Sequence, residues 1–319
     1  MGVPIVYKST DGNAPVLAGV RTSLVNIFTK CLVTGYGEKA PAGWTRPYVN
    51  AELTRASFRN NPATGTGFHL MVDQATAARA NRAYFRGYEL MTSESAGSFP
   101  FGYSHEVSNI SSTRDSRARP WVLVATDAWF YFFGYNGLNS MPTNSSILTA
   151  GTGGNGPLVA FGDFDSILAD DAYNCMLFIN HSGASNTAFG RSAGASVSAL
   201  SGHYVARAAS GESGELAVAV HVAAPGSDNQ SQSMNGACPA YTGQSSLLVS
   251  KALINNGAAY TARGFLPGLV VPLHSAPFEH LSTVSLADGH DYCAVTFKPS
   301  PNGGETCRGQ FLFDMGVTA

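Results

Sequence analysis

Charge is what this chain lacks most. Lys, Arg, Asp and Glu make up 13% of its 319 residues, where an ordinary soluble domain carries about a quarter. Little ionic surface is left to hold neighbours apart. The composition therefore fits a subunit covered by other subunits better than a freely diffusing enzyme, although secreted glycan binders share the trait. The formal net charge is −2 and the pI is near 6.4. No run of lysine or arginine occurs, and the densest basic stretch, residues 114–119, holds three arginines and one aspartate. A nucleic-acid partner is not expected from such a charge pattern.

Other absences narrow the reading further. No uncharged apolar run approaches the roughly 18 residues of a membrane span; the longest apolar stretch, 121–133, is interrupted by Asp127. The first residues lack a basic segment followed by a long apolar one, so no secretory signal is expected and folding in a cytoplasm is. The cysteines at 31, 175, 238, 293 and 307 form no C-x-x-C pair, which removes support for a zinc or redox motif. Cys31 reads as a small buried hydrophobe. Cys293 and Cys307 flank a Pro/Gly-rich turn and can face each other across a hairpin, though a reducing compartment argues against an early disulfide. The histidines show neither H-x-H nor H-E-x-x-H, and none is assigned to a metal. No period of roughly 20–50 residues recurs, against a propeller or solenoid.

Motifs with catalytic overtones are weak. Gly190-Arg191-Ser192-Ala193-Gly194 matches G-x-S-x-G, but a nucleophile elbow needs a strand before it and a helix after. Neither is legible, and the segment reads as a loop even though Asp288 and His290 follow in hydrolase order. Gly151, Gly153 and Gly156 satisfy G-x-G-x-x-G, yet follow a polar loop and lead into a strand, the reverse of a dinucleotide fingerprint. Asp163, Asp165, Asp170 and Asp171 form the densest carboxylate cluster. On a strand the first two share a face about 7 Å apart, and solvated turn residues are the favoured reading over a hard-cation site. Neither catalytic residues nor a cofactor are assigned.

One helix is legible. Leu24, Ile27, Phe28, Cys31 and Leu32 recur at helical spacing, with Thr22 or Ser23 as N-cap and Gly35 at the stop. Most of the rest reads as strands, including 67–73, 82–91 and a hairpin of 121–125 with 129–133. Further strands are expected at 158–168, 175–181, 203–208, 216–223, 265–273, 291–297 and 310–313, and a short helical turn at 75–81. Residues 136–157 hold no periodic pattern; with 182–194 and 226–236 they read as polar, small-residue loops. The expectation is a mainly β chain with β-sandwich-like sheets and one amphipathic N-terminal α-helix. Its halves would be residues 1–140 and 155–319, joined through 141–154. Trp44, Tyr48, Trp129, Tyr131 and Tyr135 either pack between sheets or form a carbohydrate platform.

Several phrases carry a resemblance. They are Val6-Tyr7-Lys8-Ser9-Thr10-Asp11 with Ala14-Pro15-Val16-Leu17, then Cys31-Leu32-Val33, Gly35-Tyr36-Gly37-Glu38-Lys39 and Ala42-Gly43-Trp44. Further along come Arg86-Gly87-Tyr88-Glu89-Leu90-Met91, Arg119-Pro120-Trp121, Phe161-Gly162-Asp163 and residues 263–274. In this order the chain resembles a family of virion structural proteins of tailed bacteriophages; the Ser/Gly-rich segments 182–194 and 226–236 depart from its pattern. The resemblance implies a virion component assembled in the host cytoplasm and transfers no catalytic residue. The expected partners are copies of itself and other virion proteins, and a tail position is expected over a head position. A receptor- or glycan-binding module at the tail tip, with a host-surface glycan as partner, and a capsid decoration or neck protein stay open. Leu24, Ile27, Phe28 and Leu32 are expected to dock the helix, with Trp44, Trp121, Trp129, Leu266 and Pro267 as structural fixtures.

Overall fold

Strands that are apolar at every position must be covered on both faces. Trp121–Ala125, Trp129–Gly134 and Cys175–Ile179 are buried throughout, and the computed structural model places them inside a three-layer, all-antiparallel arrangement. It describes residues 2–74, 80–102, 107–109, 114–134, 158–179, 203–208, 211, 213–221, 247, 249–256, 261–272, 278–297 and 309–317.

The middle layer is a ten-stranded sheet. From one edge it runs Ile5–Lys8, Trp121–Ala125, Trp129–Gly134, Leu158–Asp163, Cys175–Ile179 and His203–Arg207. It continues through Ser213–His221, Leu253–Asn256 and Thr261–Phe265 to Asp165–Ser166. Because Asp165–Ser166 begins one residue after Leu158–Asp163, the sheet curls round until its far end meets its own middle. Gly162 makes the crossing feasible: its φ is +123°, and a Cβ there would strike the carbonyl oxygen of Ala128.

Alternation divides the middle sheet's side chains between two cores. Leu123, Phe130, Phe132, Val159, Phe161 and Leu177 pack with Ala56, Phe58, Leu70, Val72 and Phe85. Those belong to an N-terminal sheet of Thr45–Val49, Arg55–Arg59, His69–Asp73, Arg82–Met91 and Gly97–Phe101, with Val107–Asn109 also paired to Arg82–Met91. On the opposite face Val122, Val124, Tyr131, Phe133, Met176 and Phe178 pack with Leu269, Val271, Val295, Phe311 and Phe313. These come from a C-terminal sheet ordered Val249–Ser250, Leu269–Pro272, Gly309–Val317, His290–Phe297 and Thr283–Ser285. The mainly β, sandwich-like class with one short helix near the N-terminus is what is seen. Residues 141–154 lie outside the described residues. The strands flanking them are partners in one ladder, Val159 opposite Phe132 and Phe161 opposite Phe130, so the expected halves share the middle sheet.

The helix forms where its periodicity places it but is built differently. Ser23–Phe28 is α-helical and Thr29–Thr34 widens into a π-helical turn. Neither expected cap operates: Thr22 has φ +82° with no side-chain capping bond, and Ser23 Oγ donates to the Ala18 carbonyl. Instead Gln74 Oε1, from the end of another strand, accepts the N–H groups of Leu24 and Val25 at 3.0 and 3.4 Å. At the other end Ala42 and Trp44 donate their N–H groups to the carbonyls of Cys31 and Leu32, and Gly35 ends the helix with φ +75°. Phe28 wedges between layers, its ring 5.7 Å from Phe58 and 5.0 Å from Phe130. Burying each such side chain is worth roughly 1.5–3 kcal/mol.

Two expected strands divide, the first of them 158–168, which forms Leu158–Asp163 and Asp165–Ser166. The expected strand 265–273 splits into Thr261–Phe265 and Leu269–Pro272, because Gly268 at φ +65° turns the chain where any Cβ would enter the Trp129 ring. In the last hairpin Cys293 lies opposite Phe313, and Phe297 opposite Gly309. Cys293 is a free thiol; Cys307, its expected neighbour across the turn, lies outside the described residues.

Candidate functional site

The carboxylate cluster holds the layers together. Asp163 is buried and its Oδ1 accepts hydrogen bonds from Asn60 Nδ2 at 2.9 Å and Thr66 Oγ1 at 2.6 Å. Its Oδ2 accepts the Thr66 N–H at 2.7 Å. Burial raises its carboxyl above the ordinary range, with the donors from Thr66 and Asn60 opposing. Asp171 instead meets the guanidinium of Arg263 in a two-pronged pair, both contacts 2.9 Å; the Arg263 side chain is 0% and the Asp171 side chain 5% exposed. Burial pushes the Asp171 carboxyl up, but hydrogen bonds from Arg263 and Ser166 and the guanidinium charge outweigh it and hold it low. The expectation of solvated turn residues is thus corrected for these two, because each has its donors built around it; Asp170 alone is exposed at φ +56°. Among the described residues no group of three or more His, Cys, Asp or Glu is placed to hold a metal ion.

An open cleft of about 500 Å³ lies beside the C-terminal sheet, lined by residues that include Trp129, Asp165, Lys251, His290, Tyr292 and Asp314. His290 Nδ1 sits 2.8 Å from Asp314 Oδ1, and that hydrogen bond raises the imidazole's pKa. Tyr292 Oη donates to Asp288 Oδ2 at 2.8 Å, while Asp288 Oδ1 accepts the His290 backbone N–H at 3.0 Å. The Asp288 and His290 of the hydrolase ordering therefore do not form an imidazole–carboxylate pair; Asp314 takes that place. Burial raises the Asp165 carboxyl against the pull of Lys251. The cleft thus offers an imidazole–carboxylate pair and a second carboxylate beside apolar walls from Leu266 and Val270, an arrangement suited to holding a polar or cationic group. Ser192 and the glycines at 151, 153 and 156 lie outside the described residues.

The outward face of the N-terminal sheet is the other notable surface. Ala56, Phe58, Leu70, Val72, Ala83 and Phe85 point into the core, so the alternate positions turn outward. The register sets Arg55, Asp73 and Tyr84 in one row, Ser57, Met71 and Arg86 in the next, and Arg59, His69 and Tyr88 in a third; Arg82 shares the face. Arg55 pairs with Asp73 at 2.6 Å. The Nε atoms of Arg55 and Arg86 are buried without an acceptor among the described residues. Burial and the neighbouring Arg59 charge lower the His69 pKa to about 4. The alternating RASFR and RAYFR segments were the sequence signal for this face, and sequence reasoning missed it.

The residues singled out from the sequence are interior. Leu24, Ile27, Phe28 and Leu32 are completely buried in the core shared by the N-terminal and middle sheets. Trp44 Nε1 donates to the Thr126 carbonyl at 2.7 Å and Trp121 Nε1 to that of Pro15 at 2.9 Å. Pro267 accepts Tyr131 Oη at 3.2 Å, and Leu266 is buried. Trp129, 1% exposed, has no partner for its Nε1 among the described residues. None of these side chains is therefore a platform for a glycan. No helix among the described residues is long and apolar enough to cross a membrane. Comparison of the chain with known protein families, curated proteins and solved structures finds no match.

Proposed function

We propose that this chain is a non-enzymatic structural subunit of a tailed-bacteriophage particle, tail-associated in preference to head-associated. It works by burying its surface against copies of itself and other virion proteins. The observation that carries the reading is the 13% charged composition of a body whose surface also shows large apolar side chains. Val3, Leu53, Leu90, Phe99 and Val317 are each about half exposed or more. Permanent interfaces of about 2,000 Å² or more are built from such surfaces. The phrases that carry the family resemblance also occupy structural joints: Trp44 and Trp121 bridge segments through their indoles, Arg119 pairs in a β-bridge with Leu17, and Gly162-Asp163 sits where the middle sheet turns.

Mass spectrometry of purified particles, with light scattering of the isolated chain, tests this. The chain is expected among the virion proteins and as an oligomer in solution. A monomer absent from particles overturns the proposal.

A further inference from the structure

Some polar groups of the cleft beside the C-terminal sheet are already bonded and others are not. Asp314 Oδ1 meets His290 Nδ1 at 2.8 Å and accepts the Gly316 N–H at 2.9 Å, and the Tyr292 hydroxyl is taken by Asp288. Asp165 is half-buried, yet among the described residues its carboxylate accepts no hydrogen bond and enters no ion pair. Lys251 is exposed, its ammonium 5.4 Å from the centre of the Phe265 ring. It likewise pairs with no carboxylate among the described residues, although its charge is felt at Asp165. Taking a carboxylate partly out of water without giving it a donor is costly. A carboxylate and an ammonium that line one cleft without joining leave a place for a group bonded to both.

We propose that this cleft binds a sugar residue, free or at the end of a glycan, through hydroxyl groups bonded to Asp165 and Lys251. The site goes beyond the structural-subunit reading and does not depend on it. Each charge in the cleft has a counter-charge, Lys251 for Asp165 and His290 for Asp314. A cationic ligand therefore meets Lys251 and an anionic one meets Asp165, whereas a hydroxyl donates to a carboxylate and accepts from an ammonium. Bonds of that kind, with one charged partner, are the stronger sort. Leu266 and Val270 supply an apolar wall for the C–H face of the ring, and about 500 Å³ lies within the size range of small-ligand pockets. Trp129 and Tyr292 are only 1% and 5% exposed, so the sugar is held by its hydroxyls and not by stacking.

Saturation-transfer NMR of the full chain with the methyl glycosides of glucose, galactose, mannose, rhamnose and N-acetylglucosamine tests this. At least one is expected to bind in the millimolar range. Asp165→Ala and Lys251→Met are each expected to weaken that binding about tenfold, while Glu38→Gln, at an exposed position that does not line the cleft, keeps it. Thermal unfolding confirms that the variants fold; if Asp165→Ala does not, Lys251→Met, at an exposed position, carries the test alone. Oligosaccharides of the bound sugar identify its source. Tighter binding than the methyl glycoside assigns the end of a glycan and equal binding the free sugar, and either supports the site. Four results overturn it: no glycoside bound, affinity unchanged in the folded cleft variants, an equal loss in Glu38→Gln, or binding of acetyl-lysine amide or acetate in place of every glycoside. Mass spectrometry of purified particles decides the structural-subunit reading separately.

Discussion

Asp163 and Asp171 leave the same stretch of chain and end in opposite electrostatic states. Asp163 is met by neutral donors, Asn60 and Thr66, and burial wins: its carboxyl is raised. Asp171 is met by Arg263, and the charge-assisted bonds win: its carboxyl is lowered. Both partner and depth separate them: Asp163 is buried beside neutral donors, Asp171 half-buried beside a cation. Their structural duties differ too. Asp163 ties the turn after Arg55–Arg59 to the middle sheet, so it joins two layers. Asp171, through Arg263, fastens Thr261–Phe265 to the segment following Asp165–Ser166, so it joins the middle sheet to itself. Gly65 shows how closely the first joint is built, since a Cβ there would stand 2.5 Å from Asp163 Oδ2.

The largest effect that separates these joints is expected from Arg263→Ala. It strands the Asp171 carboxylate without a counter-charge, and breaking one side of a buried pair costs about 3–5 kcal/mol. Arg263 Nη1 also donates to the Arg207 carbonyl at 2.7 Å, so the end of His203–Arg207, three places along the sheet, loses a donor as well. Urea unfolding measures the loss. The double change Arg263→Met/Asp171→Leu is expected to recover most of it, because replacing both partners removes the buried charge altogether. A loss under about 1 kcal/mol for Arg263→Ala would mean that the backbone ladder alone closes the sheet.

Asp163→Ala is the smaller disturbance. It leaves Asn60 Nδ2 with the Ala128 carbonyl at 3.1 Å but removes the acceptor of the Thr66 N–H. An unsatisfied buried donor costs about 1–3 kcal/mol. Hydrogen exchange is expected to speed first at Thr66 and its neighbours in the turn and to leave Trp121–Ala125 protected. Uniformly faster exchange across the middle sheet would show that Asp163 acts globally, contrary to a joint between layers.

The contrast also explains what the sequence could and could not disclose. The hairpin of Trp121–Ala125 with Trp129–Gly134 is legible because burial on both faces imposes an uninterrupted apolar run. The helix is legible because its contacts repeat locally. Its cap is not, since Gln74 lies 50 residues from Leu24. The Asp171–Arg263 pair spans 92 residues, and nothing in either neighbourhood marks the other. Thr45–Val49 is an edge strand that Pro47 disguises, and edge positions tolerate proline because one side needs no ladder donor. Leu253–Asn256 reads as polar and falls below the strand signal. The arginine face was written in RASFR and RAYFR, but alternation gives two faces without saying which is covered; only the packing of Phe58 and Phe85 decides that.

The finest distinction between the joints is their pH dependence, and it has opposite signs. A native carboxyl raised above the unfolded value of about 3.9 holds its proton more tightly when folded. Stability linked to Asp163 therefore falls as pH climbs from about 4 through its native pKa, and is constant above it. A depressed carboxyl behaves the other way: the stability linked to Asp171 is complete above about 4 and is lost as pH falls through its native pKa. Asp163→Asn removes the first titration and leaves the second. The substitution shifts stability by an offset, since an amide nitrogen faces one of the former donors, but that offset does not change with pH. Urea midpoints from pH 3 to 7 are thus expected to show wild type losing ground to Asp163→Asn as pH rises above about 4, with both chains weakening together below it. A difference that stays flat from pH 4 to 7 would place Asp163 at its unfolded pKa and erase the contrast with Asp171.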